Sequence, residues 1–137
     1  MRPIRFRAWD LSRAELMKLT SKEFKEKSGL EKRDFSKRLM LPVVQICFSE
    51  NTVVTDGFIR PMKEFILMQF TGLLDKNGKE IYEGDIFNDD TGWKWKVEYS
   101  PCCFYGVSIE KDLRPDYSLT EYDSSIIEVL GNIYENP

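Results

Sequence analysis

The chain opens with a period of two. Ile4, Phe6 and Ala8 alternate with Arg5, Arg7 and Trp9, which predicts a half-buried first strand because strand side chains point alternately to the two faces of a sheet. From Ser12 the pattern becomes helical. Ser12-Arg13-Ala14-Glu15 and Thr20-Ser21-Lys22-Glu23 both have capping-box spacing, in which a hydroxyl accepts from an early helical amide while the glutamate reaches back to the cap. Gly29 is a natural stop. Short helices are therefore expected over about 12–19 and 21–28, and a third over about 31–40 with Phe35 and Leu39 on one face.

Pro42 ends any helix. Residues 43–48, Val-Val-Gln-Ile-Cys-Phe, form a nearly continuous apolar run that predicts a strand buried on both faces. Ser49-Glu50-Asn51 is a turn, 52–54 a short strand, and Asp56-Gly57 a second hairpin turn before Phe58-Ile59, where Pro61 limits pairing. A strand over 64–70 follows. Further on, Trp93, Trp95, Val97 and Tyr99 alternate with Lys94, Lys96 and Glu98, the clearest amphipathic strand in the chain. Ser100-Pro101 breaks it and residues 102–109 give another strand. Residues 111–123 are polar, include Pro115 and read as a loop, residues 125–130 close the sheet, and Gly131-Asn132 turns the chain into its tail.

The other elements are organised around residues 67–86. Two apolar runs flank Asp75-Lys76-Asn77-Gly78, where Asn-Gly is expected to supply the positive-φ residues of a tight antiparallel reversal. Gly72 and Gly84 punctuate the two arms, marking a bulge, a bend or a close backbone approach. The segments Gln69-Phe70-Thr71-Gly72-Leu73 and Asp75-Lys76-Asn77-Gly78-Lys79-Glu80-Ile81-Tyr82-Glu83-Gly84-Asp85-Ile86 resemble the core signature of the YopX family of phage and prophage proteins. The opening Ile4-Arg5-Phe6-Arg7-Ala8-Trp9-Asp10 and the ending Ile127-Glu128-Val129-Leu130-Gly131-Asn132-Ile133-Tyr134-Glu135-Asn136-Pro137 resemble that family's two ends. The resemblance implies a small, β-rich, phage-encoded protein and transfers no catalytic residues. The helical stretch over 12–40 is its least family-like part.

Many short strands separated by turn signals predict an antiparallel sheet curled on itself. Glu83-Gly84-Asp85-Ile86 after the hairpin also resembles the strand entry of small SH3-like barrels. The expected fold is mainly β (α+β), a small, partly open SH3-like barrel with an N-terminal helical element, and 137 residues favour one domain over 1–137. No apolar run approaches the roughly 18 to 20 residues needed to cross a bilayer, and charges at Arg2, Arg5, Arg7 and Asp10 do not fit a signal peptide. Reduced thiols at Cys47, Cys102 and Cys103 suit a cytoplasmic protein of a bacterial host cell better than a disulfide framework.

Charge and missing residue types narrow the chemistry. The chain has no histidine, which excludes serine-histidine and cysteine-histidine triads and histidine-dependent metal sites. Net charge is −3, but residues 1–40 hold 12 Lys+Arg against 6 Asp+Glu and residues 41–137 hold 8 against 17. The first stretch is thus +6 and the second −9, a polarity suited to contact within the monomer, between subunits, or with nucleic acid.

Each candidate site competes with a plain structural role. Asp75, Asn77 and Gly78 suggest a calcium loop, but Lys79 and Glu80 stand where the fifth ligand and the required glycine belong, so a hairpin turn is preferred. Glu80, Glu83, Asp85, Asp89 and Asp90 could hold magnesium or serve as acid and base, yet strand alternation splits them between faces. Trp93, Lys94, Trp95 and Lys96 interleave rings and cations as single-strand platforms do, although rings and lysines should face opposite ways. Arg13, Lys18, Lys22, Lys25, Lys27, Lys32, Arg33, Lys37 and Arg38 could meet phosphates, but Glu15, Glu23, Glu26, Glu31 and Asp34 are interspersed as in a solvated helix laced by ion pairs. Cys102-Cys103 lacks the spacing of a redox motif.

No catalytic, metal or cofactor residues are therefore assigned. The preferred reading is a non-enzymatic binding or assembly module that self-associates or binds another protein. A nucleic-acid-binding module using the basic 13–38 segment is the first alternative, and a carboxylate-metal enzyme using Glu80, Glu83 and Asp85 the second.

Overall fold

A computed structural model describes residues 5–32, 39–55, 57–100, 103–109, 116–119 and 125–135. The protein is mainly β, with a curled half-barrel sheet and short helices near the N-terminus, as the strand and turn pattern predicts. Its contacts divide it into two compact units, Phe6–Met68 and Met1–Arg5 with Gln69–Pro137. Among the described residues no helix is long and apolar enough to cross a membrane.

In the unit over residues 6–68, β1 (Phe6–Asp10) pairs antiparallel with β2 (Met40–Pro42), Ala8 opposite Leu41. Pro42 lies on an edge strand, where its missing amide costs no ladder bond. Strict alternation fails at the end of β1: Ala8, Trp9 and Asp10 are all buried, because Asp10 turns inward to cap helix α1 (Leu11–Leu16). Its Oδ1 accepts the Arg13 N–H at 3.0 Å. The capping box expected at Ser12 is therefore displaced to Asp10, whose carboxylate reaches the same kind of orphan amide two residues earlier.

The second box is where the spacing puts it. In α2 (Ser21–Ser28), Thr20 Oγ1 accepts the Glu23 N–H at 3.3 Å and Glu23 Oε2 accepts the Thr20 N–H at 2.9 Å. Gly29 stops the helix with φ +72°, its N–H donating to the Lys25 carbonyl at 2.8 Å. The helix expected over 31–40 falls on residues 33–38, outside the described residues, and Met40 already begins β2. Strands β3 (Gln45–Cys47), β4 (Thr52–Val54) and β5 (Ile59–Pro61) form a three-stranded meander, followed by one 3₁₀ turn at Met62–Glu64. Val53 joins Ala8, Leu41 and Phe65 in the core of this unit, with Val43, Met62 and Leu67 packed against them.

In the other unit, the second half of β6 (Phe65–Leu74) pairs with β7 (Glu80–Tyr82), with an irregularity between Phe70 and Leu74 where Gly72 takes φ +85°. That is the bulge the sequence marked. In the hairpin turn Gly78 takes φ +79° and donates to the Asp75 carbonyl at 3.0 Å. Asn77 does not share the positive φ, since Asn51 is the one non-glycine with positive φ among the described residues. The reversal is a turn closed by one left-handed glycine, as in hairpin loops longer than two residues.

Asp75 is the hub of this unit. Its carboxylate is buried and accepts three backbone N–H groups: Oδ1 from Asn77 and Lys79, both at 2.9 Å, and Oδ2 from Val129 at 3.0 Å. The Lys76 N–H adds a 3.0 Å bond to the Ile127 carbonyl. Strands β8 (Asp85–Asn88), β9 (Lys94–Tyr99), β10 (Phe104–Ser108), β11 (Tyr117–Ser118) and β12 (Glu128–Asn132) form an antiparallel sheet in the order β11-β10-β9-β8-β12. Two expectations are corrected here. Tyr117 and Ser118 are a strand within what reads as a loop over 111–123, and Gly131 and Asn132 belong to β12, its register shifting between Val129 and Gly131. Gly84, at φ +86°, donates to Val97 and accepts from Ile133, both at 2.9 Å, a close approach of three backbone segments.

The core of the sheet is aromatic. Phe87 stacks on Trp95 at 5.8 Å and meets Tyr117 edge-on at 5.3 Å, beside buried Val97, Phe104 and Ile127. Gly106 lies under Phe87, and a Cβ built there would fall 2.6 Å from Phe87 Cζ.

Two stability measurements follow from this packing. Asp75→Ala orphans three amides, at least one of them buried, and is expected to lower unfolding free energy by about 3 kcal/mol in denaturant titration. Asp75→Asn keeps one acceptor oxygen and should fall between the two; an Ala variant as stable as the parent would contradict the hub. Gly106→Ala is expected to cost about 1–3 kcal/mol by overpacking against Phe87, read as a lower thermal midpoint.

Candidate interaction surface

The three-stranded meander has two different faces. Residues directly opposite one another in an antiparallel ladder share a face, so Ile46, Val53 and Arg60 form one row, and Gln45, Val54 and Ile59 with Cys47, Thr52 and Pro61 form two rows on the other. The first face is anchored inward. Val53 is fully buried, and Arg60 reaches buried Asp10 through both terminal nitrogens, Nη2 at 3.1 Å from Oδ1. Arg60 Nε donates to Glu64 at 2.9 Å and the guanidinium lies 4.6 Å over the Phe65 ring. Hydrogen bonding to Asp10 pushes the Arg60 pKa above its usual value, and Arg13 Nε, 3.3 Å from Asp10, adds a second cation.

Ile59 on the second face, and Val44, Phe48 and Phe58 in the segments next to the strand ends, are large apolar residues exposed among the described residues. Val44 is 73%, Phe48 74%, Phe58 61% and Ile59 71% exposed. Expected burial of 43–48 on both faces is thus corrected: among the described residues β3 is a three-residue edge strand paired only with β4, and Phe48 after it already begins a turn. An apolar run bounded by Pro42 and the turn at Ser49-Glu50-Asn51 does not itself say whether a second layer covers it. At one end of the meander Glu50, Asn51, Pro61, Met62 and Lys63 line an open cavity of about 570 Å³. Asn51, at φ +53°, holds this end by accepting the Met62 N–H at 2.7 Å. Nearby, the Cys47 thiol lies 3.4 Å from Ser49 Oγ, and that hydrogen bond lowers its pKa.

The chemical candidates occupy structural positions. Asp75 is consumed by three amides, and Asn77 and Gly78 form the turn. Glu80 binds Arg5 and the Tyr82 hydroxyl, both at 2.7 Å; Asp85 is buried and accepts the Tyr82 N–H at 2.8 Å; Asp89 accepts from Thr91; Glu83 is half-buried and Asp90 exposed. Among the described residues no three His, Cys, Asp or Glu side chains are placed to hold a metal ion. Trp95 is buried and Trp93 exposed, while Lys94 is exposed and Lys96 pairs with Glu98 at 2.9 Å, so the rings and cations do not form one platform.

Within the basic segment, Lys18 pairs with Glu15 at 2.6 Å and Lys25 with Glu31 at 2.9 Å, and hydrogen bonds from Thr20 lower the Glu23 pKa. Arg33, Lys37 and Arg38 lie outside the described residues, as does Cys102, while Cys103 is exposed. The Asp10–Arg60 pair joins residues fifty positions apart, and no local pattern announces it.

These features define a small, mainly β protein with two compact units and exposed apolar residues on and around a three-stranded sheet. The chain belongs to the YopX family: the family model described as YopX protein matches residues 5–137, both units included. Among solved structures, the crystal structure of protein EF1440 from Enterococcus faecalis is similar over 100% of this chain and 97% of that chain, with a TM-score of 0.64 and 22% identity, which establishes a shared fold. No curated protein matches the chain.

Removing the cation that neutralises Asp10 tests the buried pair. Arg60→Met is expected to cost about 3 kcal/mol by leaving a buried carboxylate with Arg13 alone, measured by chemical denaturation. Adding Asp10→Asn, which preserves the helix cap, should recover part of that loss; simple additivity would show that the pair is not coupled.

Proposed function

We propose that this YopX protein is a phage or prophage accessory protein that works in the cytoplasm of the bacterial host as a non-enzymatic binding or assembly module, and that it self-associates. The observation that carries the reading is the exposed apolar residues of the β3–β4–β5 meander and the segments beside its strands, Val44, Phe48, Phe58 and Ile59, each more than half exposed. Four large exposed apolar side chains on one small sheet and its flanking segments are more than the single scattered residues of an ordinary surface, and point to a surface that another molecule covers. Charge supports it as well. Residues 6–68 carry 12 Lys+Arg against 9 Asp+Glu, whereas the remaining residues carry 8 against 14, so the two units are +3 and −6 and copies of the chain can attract one another.

Light scattering coupled to size exclusion, at low and high salt and with added nucleic acid, tests the reading. A discrete oligomer whose mass ignores nucleic acid and persists in high salt is the expected result, since apolar burial is not screened. Dissociation in salt would move the contact from the meander to the oppositely charged stretches. A monomer that shifts only with nucleic acid would overturn self-association and assign the function to residues 13–38.

A further inference from the structure

The cavity at the end of the meander gives the assembly reading a specific geometry. Two of its lining residues, Pro61 and Met62, are apolar, while exposed Glu50 and exposed Lys63 bring one negative and one positive charge to the same groove. Phe48 opens the turn that contains Glu50 and Asn51, its carbonyl accepting the Asn51 N–H at 3.4 Å, and the residue is 74% exposed. A protruding aromatic residue therefore stands in the same turn as an open groove with apolar lining and opposite charges.

In a twofold contact the same patch is used by both molecules, so each residue i that meets j is matched by j meeting i. A surface suits that symmetry when it carries both halves of each interaction. This one does: a ring and an apolar groove to receive it, an acid and a base to pair across the axis. A small-molecule site would instead enclose its ligand and converge several polar groups on it; the groove is open, and its two charged residues are solvent-exposed.

We propose that a second copy of this chain docks on this groove in an isologous dimer, Phe48 of each molecule entering the Pro61–Met62 groove of the other and Glu50 pairing with the other copy's Lys63. The inference rests on the self-association reading and adds the surface, the symmetry and the stoichiometry. Ion pairing across the axis sets register, and the ring supplies most of the affinity, as buried aromatic anchors do.

A charge-reversal experiment tests it on the full chain by light scattering and sedimentation. Glu50→Lys places two lysines face to face across the axis and Lys63→Glu two glutamates, so each variant alone is expected to be monomeric. An equimolar mixture restores both pairs and should form a heterodimer. Phe48→Ala is expected to raise the dimer dissociation constant by about 30-fold or more, the scale of a central aromatic anchor. All three positions are exposed, and far-UV circular dichroism confirms that each variant is folded. A wild-type oligomer left intact by both reversals, or variants that fail to recombine, would overturn this geometry while leaving self-association standing. A wild-type protein that is monomeric throughout would remove both.

Discussion

One carboxylate fixes the fold of the larger unit. Asp75 takes two amides from its own turn and one from Val129 in β12, so a single side chain both closes the hairpin and joins it to the strand that ends the sheet. A buried carboxylate accepting several N–H groups is among the stronger polar arrangements available, because charge-assisted bonds are strong in a low dielectric. The arrangement also sets register. Lys76 bonds Ile127 beside it, and a one-residue slip of β12 would turn its apolar residues outward. Gly84 makes the complementary junction, bonding both Val97 and Ile133. The stretch most like its family is thus where the backbone is tied together.

The smaller unit repeats the device with a different acid. Asp10 is fully buried, caps α1 and binds Arg60 from the meander. A helix start, the end of a strand and a three-stranded sheet converge on one side chain. Burying that charge is unfavourable unless it is matched, and Arg60, Arg13 and the Phe65 ring supply the match. The inward face of the meander is therefore committed to holding the unit together, and the outward face is left for other contacts.

Legibility in the sequence followed the range of the interaction. The hairpin at Asp75–Gly78, the bulge at Gly72, the box at Thr20 and the stop at Gly29 depend on residues within a few positions of one another, and each was readable. The Asp10 cap is itself local, its Oδ1 meeting the Arg13 N–H three residues on, and competes there with Ser12; its pairing with Arg60, fifty residues away, has no local pattern. Tyr117 lies in a stretch whose local pattern is that of a loop, because its place in a strand comes from packing on Phe87 and Trp95. Of the candidate surface, the strands and turns were legible and the exposure was not. An apolar run looks the same in a core as on a face that awaits a partner, and periodicity reports side-chain alternation without saying what covers the strand.

That ambiguity has an energetic side. Covering a large apolar side chain is worth about 1.5–3 kcal/mol relative to leaving it in water, and Val44, Phe48, Phe58 and Ile59 forgo most of this in the isolated chain. Nor do they extend the sheet: β3 and β5 are three-residue edge strands, one ending in Pro61, which discourages open-ended strand addition. A surface that is sticky through side chains but blunted at its backbone edges favours a closed, finite contact over a growing one. The opposite charges of Glu50 and Lys63 then select among closed contacts, since they pair favourably under a twofold axis that sets 50 against 63 and clash under one that sets like residues together.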